Sequence, residues 1–195
     1  MNKLEGIELL KQIEYPTVSL LNMVDLMKNN ILMEGISVRL SSRNDSIDVN
    51  LPSIHNVKSM QVIENFIKEY GKNYDVLIHK TVKPQIIGTI SKYKINDYYI
   101  IVVETYKNFL ERKHGIINEY ISMMSIDNRL FNKRYNSENA KILFQKIYPF
   151  IKKNCFDEYD IEFVIENNEI VFTDFYSKDY QIKRIKKYRI WYMSK

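Results

Sequence analysis

The apolar and polar positions divide the chain into helical and extended stretches. GIELLKQI (6–13) carries Ile7, Leu10 and Ile13 at helical spacing and ends ahead of Pro16. SLLNMVDLMKNN (19–30) reads as a second helix with Ser19 as its N-cap. A short strand is expected at 36–40, and residues 53–56 are expected to be irregular. SMQVIENFIKEYG (59–71) predicts a third helix, capped by Ser59, with Val62, Phe66 and Ile67 as its stripe and Gly71 at its end.

The period then shortens. YDVLIHKTVKP (74–84), QIIGTISKY (85–93) and DYYIIVVETY (97–106) read as strands rich in β-branched and aromatic residues. NAKILFQKIYPFIKKN (139–154) returns to helical spacing, with Ile142, Leu143, Ile147 and Phe150 facing inward and Pro149 predicting a kink or break. YDIEFVIENNEIVFTDFY (159–176) predicts a hairpin about an Asn-rich turn. Helices mixed with hairpin-connected strands argue for an α+β fold rather than a parallel doubly wound sheet.

Composition narrows the classes. With 195 residues, 45% hydrophobic and 27% charged, the chain fits one large domain or two small lobes sharing a core. Five glycines and four prolines argue against long linkers. No run of 18 apolar residues occurs, so no conventional membrane span is expected. The first 16 residues carry acidic groups and no small-residue cleavage site, unlike a signal peptide. A single cysteine, Cys155, cannot form an internal disulfide, which favours a reducing cytoplasmic setting, and a buried structural thiol is expected there. The formal charge is +5, and KRIKKYRIWYMSK (183–195) holds six basic residues and no acidic one. That segment reads as a docked helix through Ile182, Ile185, Tyr188 and Trp191 with a solvated basic face. Its other reading is a surface for nucleic acid or an acidic partner.

Several chemistries lack their residues. His55, His79 and His114 have no metal-ligand spacing with Cys155, and neither a P-loop, a dinucleotide glycine pattern nor a G-x-S-x-G elbow is present. What remains is a set of charges inside strands: Arg39 in ISVRLSS, Glu104 after YYIIVV, Glu162 in DIEFVI and Asp174 in VFTDFY. Arg39 either lies on the wet face of an edge strand or points into a cleft to meet an anion. Carboxylates in apolar strands need a partner or a cation, and hard oxygen ligands suit Mg²⁺. Glu162 and Asp174 share a face only if the turn has an odd count or a bulge intervenes; otherwise one faces water and the other forms an ion pair.

In order along the chain, these pieces resemble the ATP-grasp nucleotide-binding domain of phosphoenolpyruvate synthase, pyruvate phosphate dikinase and rifampin phosphotransferase. NKLEGIELLKQIEYP keeps Lys3, Ile7, Leu10 and Pro16 of the opening stretch, and SVRLSSRND is similar to the V-R-S-S strand, with Arg39, Ser41, Ser42 and Asp45. VLIHKTVKPQIIGTIS looks like the hinge between two strands, with His79 at a glutamine position and Gly88 and Thr89 beyond; Glu104 matches the next strand. YDIEFVIENNEIVFTDFYS looks like the closing hairpin, keeping Glu162, with Asp174 in place of a glutamine and Tyr176 in place of an arginine.

The resemblance implies an ATP-grasp-like α+β fold of two lobes, approximately 1–75 and 76–195, with mainly antiparallel sheets and flanking helices. It implies ATP and Mg²⁺ as cofactors. Lys3 and Arg39 would contact the phosphates as the catalytic pair, His79 and Val82 would line the adenine hinge, Glu104 would belong to the nucleotide site, and Glu162 and Asp174 would hold Mg²⁺. The chemistry would be phosphoryl or ligase-type transfer, by positioning and charge neutralisation, onto a small molecule or a protein. The competing expectation is a catalytically silent binding module of the same fold that engages a protein or nucleic acid.

Overall fold

The structure is a computed structural model and describes residues 2–28, 31–43, 51–126, 129–153 and 157–176. Asp45, Cys155 and the basic segment 183–195 lie outside the described residues, and with them the expected buried thiol and docked helix. In chain order the elements are α1 (Lys3–Gln12), α2 (Met23–Lys28), a 3-10 turn (Ile31–Glu34), β1 (Ile36–Ser42), β2 (Ser53–Val57), α3 (Met60–Tyr70) and β3 (Tyr74–Lys80). They continue with β4 (Ile86–Ile95), β5 (Tyr98–Tyr106), α4 (Phe109–His114), β6 (Tyr120–Ile126), β7 (Arg129–Tyr135), α5 (Glu138–Lys153), β8 (Tyr159–Glu166) and β9 (Glu169–Tyr176).

The strands form two antiparallel sheets, one of order β2-β1-β3 and one of order β7-β6-β5-β4-β8-β9, so the fold is α+β. Asparagines turn two hairpins of the larger sheet. Asn96 leads from β4 to β5 at φ 51°, and Asn167 and Asn168 join β8 to β9 at φ 49° and 68°. Asparagine tolerates this left-handed backbone, and tight turns of that hand match the strand twist.

Each sheet packs one apolar face into a hydrophobic core. Ile90, Ile101, Val103, Ile121, Met123, Ile161 and Phe163 of the larger sheet pack against Leu143, Phe144 and Ile147 of α5. At Gly88 an added Cβ would stand 2.2 Å from the Phe163 ring, so the bare strand there is what admits the ring. The smaller sheet packs Val38, Leu40 and Ile78 against Leu26, Ile63 and Phe66. A third cluster spans the gap, built from Ile7, Val18 and Leu77 with Leu4, Val82 and Val171 beside them. Helix α1 is its centre: a Cβ on Gly6 would lie 2.8 Å from the Phe175 carbonyl oxygen, so α1 presses directly on β9.

Several local expectations change. The second helix starts after Asn22, not Ser19, because Asn22 and Asp25 cap each other at 2.9 and 3.0 Å while the Leu21 amide donates to the Ile78 carbonyl at 2.8 Å. Residues 53–56, expected to be irregular, belong to β2, which pairs with β1. On α3 it is Ile63 that is buried and Val62 that is exposed, and the Ser59 side chain makes no cap hydrogen bond. On α5 Ile142 is half exposed, and the helix continues through Pro149 to Lys153 without a break. The chain between β5 and α5, which shows no clear period, forms α4, β6 and β7. Among the described residues no helix is long and apolar enough to cross a membrane.

Candidate functional site

A row of side chains crosses the face of the larger sheet opposite α5. Glu104 on β5 stands directly across from Thr89 on β4, Thr89 from Glu162 on β8, and Glu162 from Asp174 on β9. Directly opposed residues on antiparallel strands point to the same face, so the three carboxylates share one wall. The hairpin has a two-residue turn, which alone would send Asp174 to the opposite face. The register shifts between Glu162 and Phe163, leaving Thr173 as the extra residue that turns Asp174 back. A bulge does what the sequence pattern required of it.

The smaller sheet supplies the other wall. Arg39 lies on β1, the central strand, which removes the edge-strand reading. Its neighbours Val38 and Leu40 face the α3 core, while Ser37, Arg39 and Ser41 turn the other way and pair with His79, Leu77 and Asp75. Arg39 reaches across to Asp174, with its Nη2 2.5 Å from Oδ2. From α4, Arg112 pairs with Glu162. Helix α1 closes one end. Asn2 caps it, the Leu4 amide donates to Ser41 Oγ at 3.1 Å, and the Lys3 charge acts on Asp174.

Burial sets the electrostatics. Asp174 is 1% exposed, and burial pushes its carboxyl pKa up while Arg39 pulls it back and Glu162 raises it again. Its Oδ1 is buried without a hydrogen-bond partner. Across the cleft, burial lowers the His79 pKa from 6.5 to about 4, with Arg39 and His55 opposing a second positive charge. His79 Nδ1 lies 2.7 Å from the Lys80 carbonyl oxygen, and its Nε2 is buried without a partner. His55, also pushed down by burial and Arg39, links Ser53 and Ser37 at 3.1 Å each, and Ser37 meets Thr81 at 3.0 Å. Glu104 accepts from the Tyr106 hydroxyl at 2.9 Å.

Thus Lys3, Arg39, Glu162 and Asp174 meet in one place, Glu104 ends their row, and His79 shares the face of Arg39. Val82, in the β3–β4 connection, packs beside the cluster of Ile7, Val18 and Leu77. Two groups at this wall escaped the sequence reading. Arg112 sits on a helix with no buried residue, so no stripe announced it. Asp160, buried and bonded by the Ser91 hydroxyl, was legible in D-I-E, since alternation puts it on the face of Glu162.

Among the described residues no group of three or more His, Cys, Asp or Glu side chains is arranged as a metal cage. The opposed Glu162–Asp174 pair with its unpartnered Oδ1 instead fits Mg²⁺, which takes one or two carboxylates and completes its shell with water and substrate phosphates.

The fold and site define an α+β protein with a row of charged side chains between two antiparallel sheets. No family model matches the chain, and no curated protein matches it. Among solved structures, D-alanyl-alanine synthetase A from Vibrio cholerae O1 biovar eltor str. N16961 is similar over 86% of this chain and 52% of its own, at 16% identity and a TM-score of 0.44. Macrocyclase MdnC bound with precursor peptide MdnA, from Microcystis aeruginosa MRC, is similar over 89% of this chain and 51% of its own, at 8% identity and a TM-score of 0.45. The chain spans about half the length of each.

Proposed function

We propose that the chain is an ATP-grasp-like protein that binds ATP with Mg²⁺ between its two sheets and supports phosphoryl or ligase-type transfer to an unidentified acceptor. The observation that carries this reading is the Glu162–Asp174 pair, opposed on one sheet face with Oδ1 of Asp174 unpartnered, facing cations from three other elements. Lys3 and Arg39 take the phosphates, His79 and Val82 line the adenine hinge, Glu104 closes the row, and Glu162 and Asp174 hold Mg²⁺. Bound Mg²⁺ neutralises phosphate charge; the chain's own residues position the nucleotide and exclude water. The two lobes are approximately residues 1–75 and 76–195. The acceptor is a small molecule or a protein.

One observation favours the second reading, a silent binding module. Both carboxylates already have arginine partners, Asp174 with Arg39 and Glu162 with Arg112, so neither needs a metal ion to offset its charge. Calorimetric titration with ATP separates the two. Binding that needs Mg²⁺ and disappears in Glu162→Ala supports the metal–nucleotide site. Binding of equal strength in EDTA, or none at all, favours the module.

A further inference from the structure

We propose that Ser53 takes a phosphoryl group from the bound nucleotide, with His55 as the base that receives its proton. The inference rests on the nucleotide reading above and deepens it, by naming a hydroxyl of this chain as an acceptor. Its geometry lies on β1 and β2. Ser53 and His55 stand two residues apart on β2, so alternation turns both to one face. Ser53 is directly opposite Arg39 across the strand pair, which makes it the face that carries Arg39. There Ser53 Oγ lies 3.1 Å from His55 Nε2, and His55 Nδ1 lies 3.1 Å from Ser37 Oγ. Ser37 in turn meets Thr81 Oγ1 at 3.0 Å, and the Asn56 amide donates to that same oxygen at 3.1 Å. A hydroxyl within reach of a base that a third group orients is the arrangement that activates a serine.

Three features suit a nucleophile better than a structural hydrogen bond. Strand β2 is the edge of its sheet, and Ser53 and His55 are both exposed on it, so a ligand can reach them. Ser37, the positioning residue, is only 2% exposed and holds the ring from the central strand. Second, burial and the Arg39 charge lower the His55 pKa, and His79 faces it from β3, so the ring is neutral at physiological pH. With its proton on Nδ1 and donated to Ser37, its Nε2 accepts from the Ser53 hydroxyl. Third, Arg39 links the serine to the carboxylates, since it lies opposite Ser53 and reaches Asp174. A phosphate that meets Arg39 is therefore brought beside Ser53. Ser53 Oγ bonds to the γ-phosphorus as the bond from phosphorus to the β,γ-bridging oxygen breaks. That oxygen leaves on ADP with the electron pair, and the serine proton passes to His55 Nε2. The phosphoserine then faces the imidazolium and the guanidinium.

Incubation of the full chain with ATP and Mg²⁺, followed by peptide mapping in a mass spectrometer, tests this, with calorimetry reporting whether ATP binds. One phosphate is expected on Ser53, with none in Ser53→Ala and a rate lower by at least about a hundredfold in His55→Gln. ATP binding without phosphate on Ser53, or an unchanged rate in His55→Gln, overturns the proposal and leaves the nucleotide reading standing. If ATP does not bind, both fall. Should His55→Gln fail to fold, a fluorophosphonate decides in the native protein without any nucleotide. The serine oxygen displaces fluoride from phosphorus in that reagent, so it reports how strongly each hydroxyl is activated. Labelling of Ser53 ahead of the other serines supports the assignment. Labelling spread evenly over them, or none at Ser53, removes it.

Discussion

The two faces of the six-stranded sheet are made by the same strands with opposite chemistry. Toward α5 they present Ile90, Val103, Ile161 and Phe163; one residue away they present Thr89, Glu104, Glu162 and Asp174. Both faces are largely buried, but in different ways. The α5 face is held by apolar area, each large side chain contributing about 1.5–3 kcal/mol. The cleft face buries carboxylates, which are costly unless paired, and it leaves one oxygen of Asp174 without a partner. One face is arranged for stability, and the other is the face proposed to hold a ligand.

The largest test of that contrast is Phe163→Ala, which opens a cavity against α5 and β9. A loss of about 3–5 kcal/mol is expected in chemical denaturation, and a loss under about 1 kcal/mol would mean this face is not the core. Next comes acid sensitivity at the cleft. The unfolded chain protonates His79 near pH 6.5 and the folded chain only near pH 4, so the native state binds fewer protons between them. Stability should fall as pH drops through this window, by up to about 3 kcal/mol. The raised Asp174 pKa acts oppositely, since its native state takes up protons more readily. Denaturation of His79→Gln should show the histidine component gone, and an unchanged pH slope would contradict it.

Asp174→Asn should change stability by about 1 kcal/mol or less, because the amide relieves a buried charge and Arg39, 19% exposed, can turn to solvent. The same variant should lose Mg²⁺-dependent nucleotide binding, which calorimetry reads directly. A variant that unfolds would place Asp174 with the structural residues instead. The smallest effect belongs to Ile142→Gln on the outer side of α5, expected within about 0.5 kcal/mol of the native protein by denaturant titration.

Ile142 also shows where sequence reading stops. Apolar spacing located α5, but with Ile142 and Leu143 adjacent it could not say which one the sheet would cover, and the stripe through Ala140, Leu143 and Ile147 decided it. Val62 and Ile63 on α3 repeat the case. The strands from Tyr74 to Tyr106 and the closing hairpin were legible because β-branched and aromatic residues run between turn-forming asparagines. Strand β2 was not, because its residues are mostly exposed and its pairing comes from β1. At the site, Arg39 and the carboxylates stood out as charges in apolar strands. The bulge at Thr173, on which their shared face depends, is a property of how β9 meets β8 and α1, and no local residue pattern announces it.

The central claim is that the cleft wall of Arg39, Glu162 and Asp174 exists to hold a metal-bound nucleotide. Thermal melting with and without ATP and Mg²⁺ tests it most directly. At ligand about a hundred times its dissociation constant, binding should stabilise the native protein by roughly 2.7 kcal/mol, with no shift from Mg²⁺ alone and none in Glu162→Ala. An unchanged melting temperature with every nucleotide tried, in a protein that is folded at the start, would contradict the account.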